Sequence, residues 1–324
     1  MSSKLKVVTV TLNPALDLTG SLDVLQTGRV NLLDSGSLHP AGKGINVAKV
    51  LAELGAEVTV TGLLGAENQD TFVQLFASLN ITDKFIRVDG ASRINVKIVE
   101  KSGRVSDLNF PGVAVKENEI QQFEETLFAL AETHDIFVIA GSLPQGVSPE
   151  QLASWITVLQ KAGKKVFFDS SHSALVAGIA ASPYLIKPND DELSAIVGQT
   201  LNSTFDITAA AEKLHHQGCE NVVISLGEKG VLWLNRAGWI QSIPPKMEVV
   251  STVGAGDTLV AGLCWATAEP AFASSAAPHG RLRWNSGRAR PVDCGGRRPP
   301  YPGTGRAVGS LTGAHYRGQA VSRG

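Results

Sequence analysis

The chain has 324 residues, 43% of them hydrophobic and 18% charged, with a formal net charge of −1. That length supports one large α/β domain or two ordinary ones, and the neutral balance lacks the basic footprint of a nucleic-acid binder. Three scattered cysteines, Cys219, Cys264 and Cys294, argue against a disulfide framework or a zinc site.

Residues 5–12 read as a buried strand rich in Val and Thr, closed by Asn13-Pro14. This run, behind Lys4 and Lys6, is too short for a signal peptide, and no stretch approaches the ~20 apolar residues of a membrane span. A cytoplasmic protein is therefore expected. Residues 30–38 read as a second, more exposed strand. The corner Ala41-Gly42-Lys43-Gly44 then opens a helix with an apolar face of Ile45, Val47, Ala48, Leu51 and Leu54. A strand over 57–63 and a helix over 68–79 follow. Residues 84–110 predict three short strands with turns at Asp89-Gly90 and Ser102-Gly103, an antiparallel meander.

From residue 116 the pattern alternates strictly. Helices over 116–132, 149–162, about 173–181 and 204–217 are followed by apolar strands over 136–140, 165–169, 184–186 and 221–225. Such alternation implies a mostly parallel sheet covered on both faces, with ligands at the carboxyl ends of its strands. The segments near 30–38 and 92–110 do not fit it and would make a small separate sheet, a lid.

Composition breaks near residue 267. Residues 1–266 hold 15 Lys and 5 Arg against 28 acids; residues 267–324 hold 9 Arg, no Lys and 2 acids, with 10 Gly and 6 Pro. Residues 267–324 therefore read as a disordered or out-of-frame tail, and the switch from Lys to Arg favours a shifted reading frame over a nucleic-acid arm.

No Walker A motif, dinucleotide fingerprint or G-x-S-x-G elbow is present. What remains is Val253-Gly254-Ala255-Gly256-Asp257-Thr258 ahead of Leu259, Val260, Leu263 and Cys264 at helical spacing. Gly254, Ala255 and Gly256 let backbone N–H groups at a helix start approach an anion closely. Asp257 in the first turn could accept a proton from an attacking hydroxyl. Alone, this motif is equally an ordinary aspartate near a helix start.

Three motifs in order decide between these: Ala41 to Ala48 (AGKGINVA), Lys187-Pro188-Asn189-Asp190-Asp191-Glu192, and Thr252 to Asp257. Over residues 5–266 the sequence resembles the phosphofructokinase B group of the ribokinase-like superfamily. The resemblance implies a ribokinase-like α/β sandwich of three layers over 1–266, with lid strands within about 11–40 and 87–112. It implies an ATP- and Mg²⁺-dependent sugar-phosphate kinase with Asp257 as base.

Asp17, Gly42, Lys43 and Asn46 match the sugar contacts, and Arg93 the contact to the existing phosphate, a task that suits its planar fork. Arg29 is a second candidate for that phosphate, reaching across a homodimer formed through the lid. Asn189 and Glu192 match the element that organises Mg²⁺ through water. Lys187, Ser225, Gly227, Ser251, Thr252 and Gly254 match the nucleotide site. Longer phrases, such as Gly44 to Leu51 and Phe168-Asp169-Ser170-Ser171, favour fructose 1-phosphate as acceptor over tagatose 6-phosphate or fructose 6-phosphate. In the family, helices follow the one that carries the catalytic aspartate; here Pro270 is expected to stop that helix, so a catalytically impaired sugar-phosphate binder is the rival reading.

Overall fold

The computed structural model describes residues 4–244, 254–268, 282–285 and 288–291. Its first strand, β1 (Lys6–Thr11), is apolar on both faces because it lies mid-sheet, with Val7 and Val8 fully buried. It pairs in parallel with β4 (Glu57–Gly65) on one side and β9 (Ile136–Ala140) on the other. From β9 the parallel sheet continues through β10 (Lys165–Asp169), β11 (Leu185–Ile186) and β12 (Asn221–Ser225). Antiparallel β13 (Val231–Asn235) and β14 (Gly238–Ser242) finish that edge. At the other edge β5 (Thr82–Asp83) and β6 (Ile86–Val88) both pair with β4.

Successive residues of these strands feed two different cores. Val8, Phe137 and Phe168 pack under α3 (Glu117–Ala131), α4 (Pro149–Lys161), α5 (His172–Ala180), α6 (Asp190–Val197) and α7 (Thr204–His216). Val7, Val138 and Phe167 pack under α1 (Lys43–Glu53), α2 (Asp70–Ser78) and α8 (Ala255–Ala268). The result is the expected three-layer sandwich. Each fully buried side chain of this size contributes roughly 1.5–3 kcal/mol. The helix starts are fixed locally: Ser148 with Gln151, Asn189 with Glu192, and Ser203 with Asp206 form reciprocal capping boxes.

A second sheet stands apart, in the order β3 (Ser35–Ala41), β2 (Ala15–Leu22), β7 (Arg93–Glu100), β8 (Val105–Leu108). It is the expected lid, with two corrections to its strands. The strand expected over 30–38 lies at Ser35–Ala41, because Val30 and Leu32 are 91% and 86% exposed and bury nothing in this chain. The three-strand meander is only the β7–β8 hairpin, turning at Gly103, whose N–H donates to Glu100 O at 2.8 Å. Strand β6 joins the main sheet, and β7 takes β2 as a parallel neighbour.

Helix α6 and the β13–β14 hairpin are elements that the alternation of residues 116–225 does not forecast. In the expected tail, Leu282–Asn285 pairs with Arg288–Pro291 as an antiparallel hairpin, and the rest of 269–324 lies outside the described residues. No helix among the described residues is long and apolar enough to cross a membrane.

Candidate active site

The corner before α1 is shaped by β1. A side chain on Gly44 would put its Cβ 2.6 Å from Val10 O, and one on Gly42, at φ 134°, would meet Thr11 Cγ2 at 2.8 Å. Only glycines let the chain turn this close to the strand, which leaves Lys43 and Asn46 displayed at the helix start. Asn46 Nδ2 donates to Asp257 Oδ2 at 2.8 Å, tying the start of α1 to the start of α8.

Gly254, at φ 77°, turns the chain into α8. Thr258 N is 2.9 Å from Gly254 O, and the Thr258 hydroxyl donates to the same oxygen. The N–H groups of Ala255, Gly256 and Asp257 lie in the first turn, whose donors an α-helix leaves without intrahelical partners. Asp257 is buried, at 7% exposure. Burial raises its pKa most, and the nearby charge of Asp169 adds to the rise; the Asn46 hydrogen bond and the charges of Lys43 and Lys187 oppose it. A carboxylate shifted upward in this way is a better proton acceptor than an exposed one.

Between these elements lies a residue absent from the sequence-based assignment, Asp169 at the carboxyl end of β10. It is 2% exposed and bridges two cations, with Oδ1 3.1 Å from Lys43 Nζ and Oδ2 3.5 Å from Lys187 Nζ. Burial lowers the Lys43 pKa, but Asp169, with Glu192 and Asp257 further off, outweighs it and raises the value. A Cβ on Gly256 would lie 3.5 Å from Lys187 Nζ, so this buried ammonium borders the start of α8. The signal for Asp169 was a lone carboxylate ending the apolar run Lys165 to Phe168, at the position where parallel sheets carry ligand residues.

The expected nucleotide and Mg²⁺ residues lie on neighbouring strand ends. Asn189 and Ser225 form an isolated parallel bridge, and Ser225 N donates to Pro188 O at 3.1 Å. Gly227, at φ 57°, begins the 3₁₀ turn that follows. Asn189 Oδ1 accepts from Glu192 N at 2.7 Å, and Glu192 Oε2 accepts from Asn189 N at 3.0 Å. Among the described residues no group of three or more His, Cys, Asp or Glu side chains could hold a metal alone. Ser251 and Thr252 lie outside the described residues.

On the lid, parallel pairing sets Ala15 beside Arg93 and Asp17 beside Asn95. Asp17, in β2, takes Lys97 Nζ at 2.5 Å and Asn95 Nδ2 at 3.2 Å. The Arg93 guanidinium donates to Phe110 O, Asn13 O and Ser142 Oγ at 3.1–3.3 Å, while its buried Nε has no partner. Burial lowers its pKa, opposed by Asp17. A desolvated guanidinium with a donor to spare suits an anionic ligand. Ser142, also absent from the sequence-based assignment, follows Gly141, where a Cβ would lie 4.0 Å from Lys43 Cβ; the lid group and the Asp169 group therefore adjoin. Arg29 is exposed on the segment joining β2 and β3, and its side chain makes no hydrogen bond or ion pair among the described residues.

A three-layer α/β domain with a small β-sheet lid and a buried carboxylate in the first turn of a helix is the arrangement of a carbohydrate kinase. The chain matches the pfkB family of carbohydrate kinases over residues 10–277 and belongs to that family. It is 61% identical to a 1-phosphofructokinase of Vibrio cholerae over 260 residues, 80% of this chain and 82% of the relative. It is 49% identical to the 1-phosphofructokinase of Escherichia coli over 261 residues, 80% of this chain and 83% of the relative. The solved structure of Escherichia coli phosphofructokinase-2 in complex with substrates and products is similar at TM-score 0.79 and 33% identity, covering 84% of this chain and 89% of that one. A possible 1-phosphofructokinase from Thermotoga maritima is similar at TM-score 0.73 and 28% identity, over 84% of this chain and 89% of that one. Membership implies ATP as phosphoryl donor, and the 1-phosphofructokinase relatives imply a sugar phosphate as acceptor.

Proposed function

We propose that this chain transfers the γ-phosphoryl group of ATP to the C6 hydroxyl of fructose 1-phosphate, giving fructose 1,6-bisphosphate and ADP. The observation that carries this is the buried Asp257 carboxylate, held by Asn46 at the mouth of an anion hole. In the step, the substrate oxygen forms its bond to the γ-phosphorus as the bond from that phosphorus to the ADP oxygen breaks. Asp257 takes the hydroxyl proton. The N–H groups at the start of α8 and the ammonium of Lys187 meet the charge that develops on the transferring group. Arg93 and Ser142 hold the existing phosphate, and Asp17 accepts from sugar hydroxyls. The 1-phosphofructokinase relatives support fructose 1-phosphate over the other ketose phosphates.

Mg²⁺ fits the carboxylate-rich ground around Lys43, where Glu192 keeps one oxygen outside its capping box and Asp169 lies close by. Bound there with the nucleotide, it would neutralise phosphate charge. Asn189, its carbonyl already engaged by Glu192 N–H, serves to fix Glu192. The exposed apolar residues Ile94, Val105 and Leu108 of the lid support a homodimer formed through that sheet. An ATP-dependent step of sugar metabolism belongs in the cytoplasm.

The test is ADP release with fructose 1-phosphate, fructose 6-phosphate and tagatose 6-phosphate. Preference for the first supports the proposal, and preference for either of the others contradicts it. A second reading, a sugar-phosphate binder with impaired turnover, is favoured by the composition break at residue 267. It predicts binding without turnover on all three.

A further inference from the structure

Strand β7 presents Arg93, Asn95 and Lys97 at alternate positions, so all three side chains leave the same face of the lid. Parallel pairing puts Asp17 beside Asn95 and Thr19 beside Lys97. Asp17 is therefore gripped from β7 at both oxygens, Oδ1 by Asn95 Nδ2 at 3.2 Å and Oδ2 by Lys97 Nζ at 2.5 Å. Lid sheets are open to water, yet the Lys97 and Asp17 side chains are only 17% and 19% exposed. Asn95 Oδ1 is buried with no partner, an acceptor that a ligand hydroxyl would satisfy.

We propose that Lys97 is a positioning residue that gives the site its preference for phosphorylated over uncharged sugars. This rests on the sugar-phosphate reading above. Its ammonium fixes the Asp17 rotamer, which leaves the remaining lone pairs of that carboxylate directed at sugar hydroxyls. It also cancels the Asp17 charge. Without Lys97, a carboxylate would stand beside a ligand that already carries a phosphate dianion, in a cleft where closure of the lid removes the water that screens them. The resulting repulsion acts on a sugar phosphate and spares a neutral sugar. Arg93 attracts the phosphate directly; Lys97 acts by silencing the anion nearest to it.

The experiment compares wild type, Lys97→Met, Lys97→Arg, Asp17→Asn and the Lys97→Met/Asp17→Asn double variant. Fructose 1-phosphate and fructose are each titrated calorimetrically, and ADP release is followed in parallel. Lys97→Met should weaken fructose 1-phosphate binding roughly 10- to 100-fold, with its effect mainly on KM. Fructose binding should weaken at least threefold less, since a neutral sugar loses only the orientation of Asp17, and Lys97→Arg should restore most of the loss. The double variant should bind fructose 1-phosphate no worse than Asp17→Asn, because the charge that Lys97 cancels is gone.

Loss of affinity below threefold in Lys97→Met overturns the proposal. So does an equal loss for both sugars, which would mean a structural role only, and so does failure of Lys97→Arg to restore binding. If Lys97→Met does not fold, Lys97→Gln, which also lacks the ammonium, carries the same comparison. Wild type that binds fructose 1-phosphate without turnover defeats the kinase reading alone, and the affinities still decide the role of Lys97. Wild type that binds no ketose phosphate defeats both.

Discussion

The side-chain amide of Asn46 donates to the carboxylate of Asp257 at 2.8 Å, joining the first turn of α1 to that of α8. The bond sets both the direction and the basicity of the carboxylate, because it is the strongest influence holding the Asp257 pKa down against burial.

Asn46→Ala should therefore move the acid limb of the kcat/KM profile to higher pH. Activity needs the ionised form, which is populated only above the raised pKa, and removing a donor to that form raises the pKa further. The same shift bears on stability. An acid whose folded pKa exceeds its unfolded value weakens the fold as pH rises from the ordinary carboxylate value through the raised one. pH–rate profiles of wild type and variant check this, and an unmoved or lowered limb contradicts it.

Asp169→Asn removes the carboxylate that pairs directly with both Lys43 and Lys187 among the described residues. The Lys187 ammonium is almost fully buried and would lose its direct ion-pair partner. Breaking such a pair costs about 3–5 kcal/mol. Urea unfolding should show a loss of that order, together with weaker ATP binding. A change under 1 kcal/mol would mean that water or another carboxylate replaces Asp169.

Gly44→Ala should displace the corner before α1, since the new Cβ would meet the fixed backbone oxygen of Val10 at 2.6 Å. A loss of about 1–3 kcal/mol in stability is expected, with a larger loss of turnover as Lys43 and Asn46 shift. Gly36→Ala is the control: its nearest neighbour would be Thr19 O at 3.9 Å, and it should leave stability within about 0.5 kcal/mol. Equal effects in the two variants would contradict the steric account.

What the sequence disclosed follows from where the free energy lies. Strands β1, β9, β10 and β12 were legible because both faces are buried, so their apolar runs are unbroken. The lid was legible as a region and misplaced in detail. Val30 and Leu32 carry an apolar pattern that this chain does not bury, while β3 is a run of mostly exposed residues such as Ser35, Gly36 and Ser37. Asn189-Asp190-Asp191-Glu192 looked like a ligand motif alone; it is also the capping box that starts α6. Asn46, Lys43 and Asp257 were singled out by the motifs that carry the family resemblance. Asp169, although it lies in a quoted phrase, and Ser142 were given no role there, because the contacts they make with Lys43 and Arg93 are not visible in the sequence.

The central claim is that Asp257 accepts the proton as phosphoryl transfer proceeds. Its most direct test is the rate of ADP release with saturating fructose 1-phosphate and ATP for wild type and Asp257→Asn. The variant keeps the shape of the side chain and loses only its basicity. It should lose turnover by roughly 10²–10⁴-fold while folding at least as stably as wild type, since burial disfavours the charge it removes. A loss of less than tenfold would contradict the assignment.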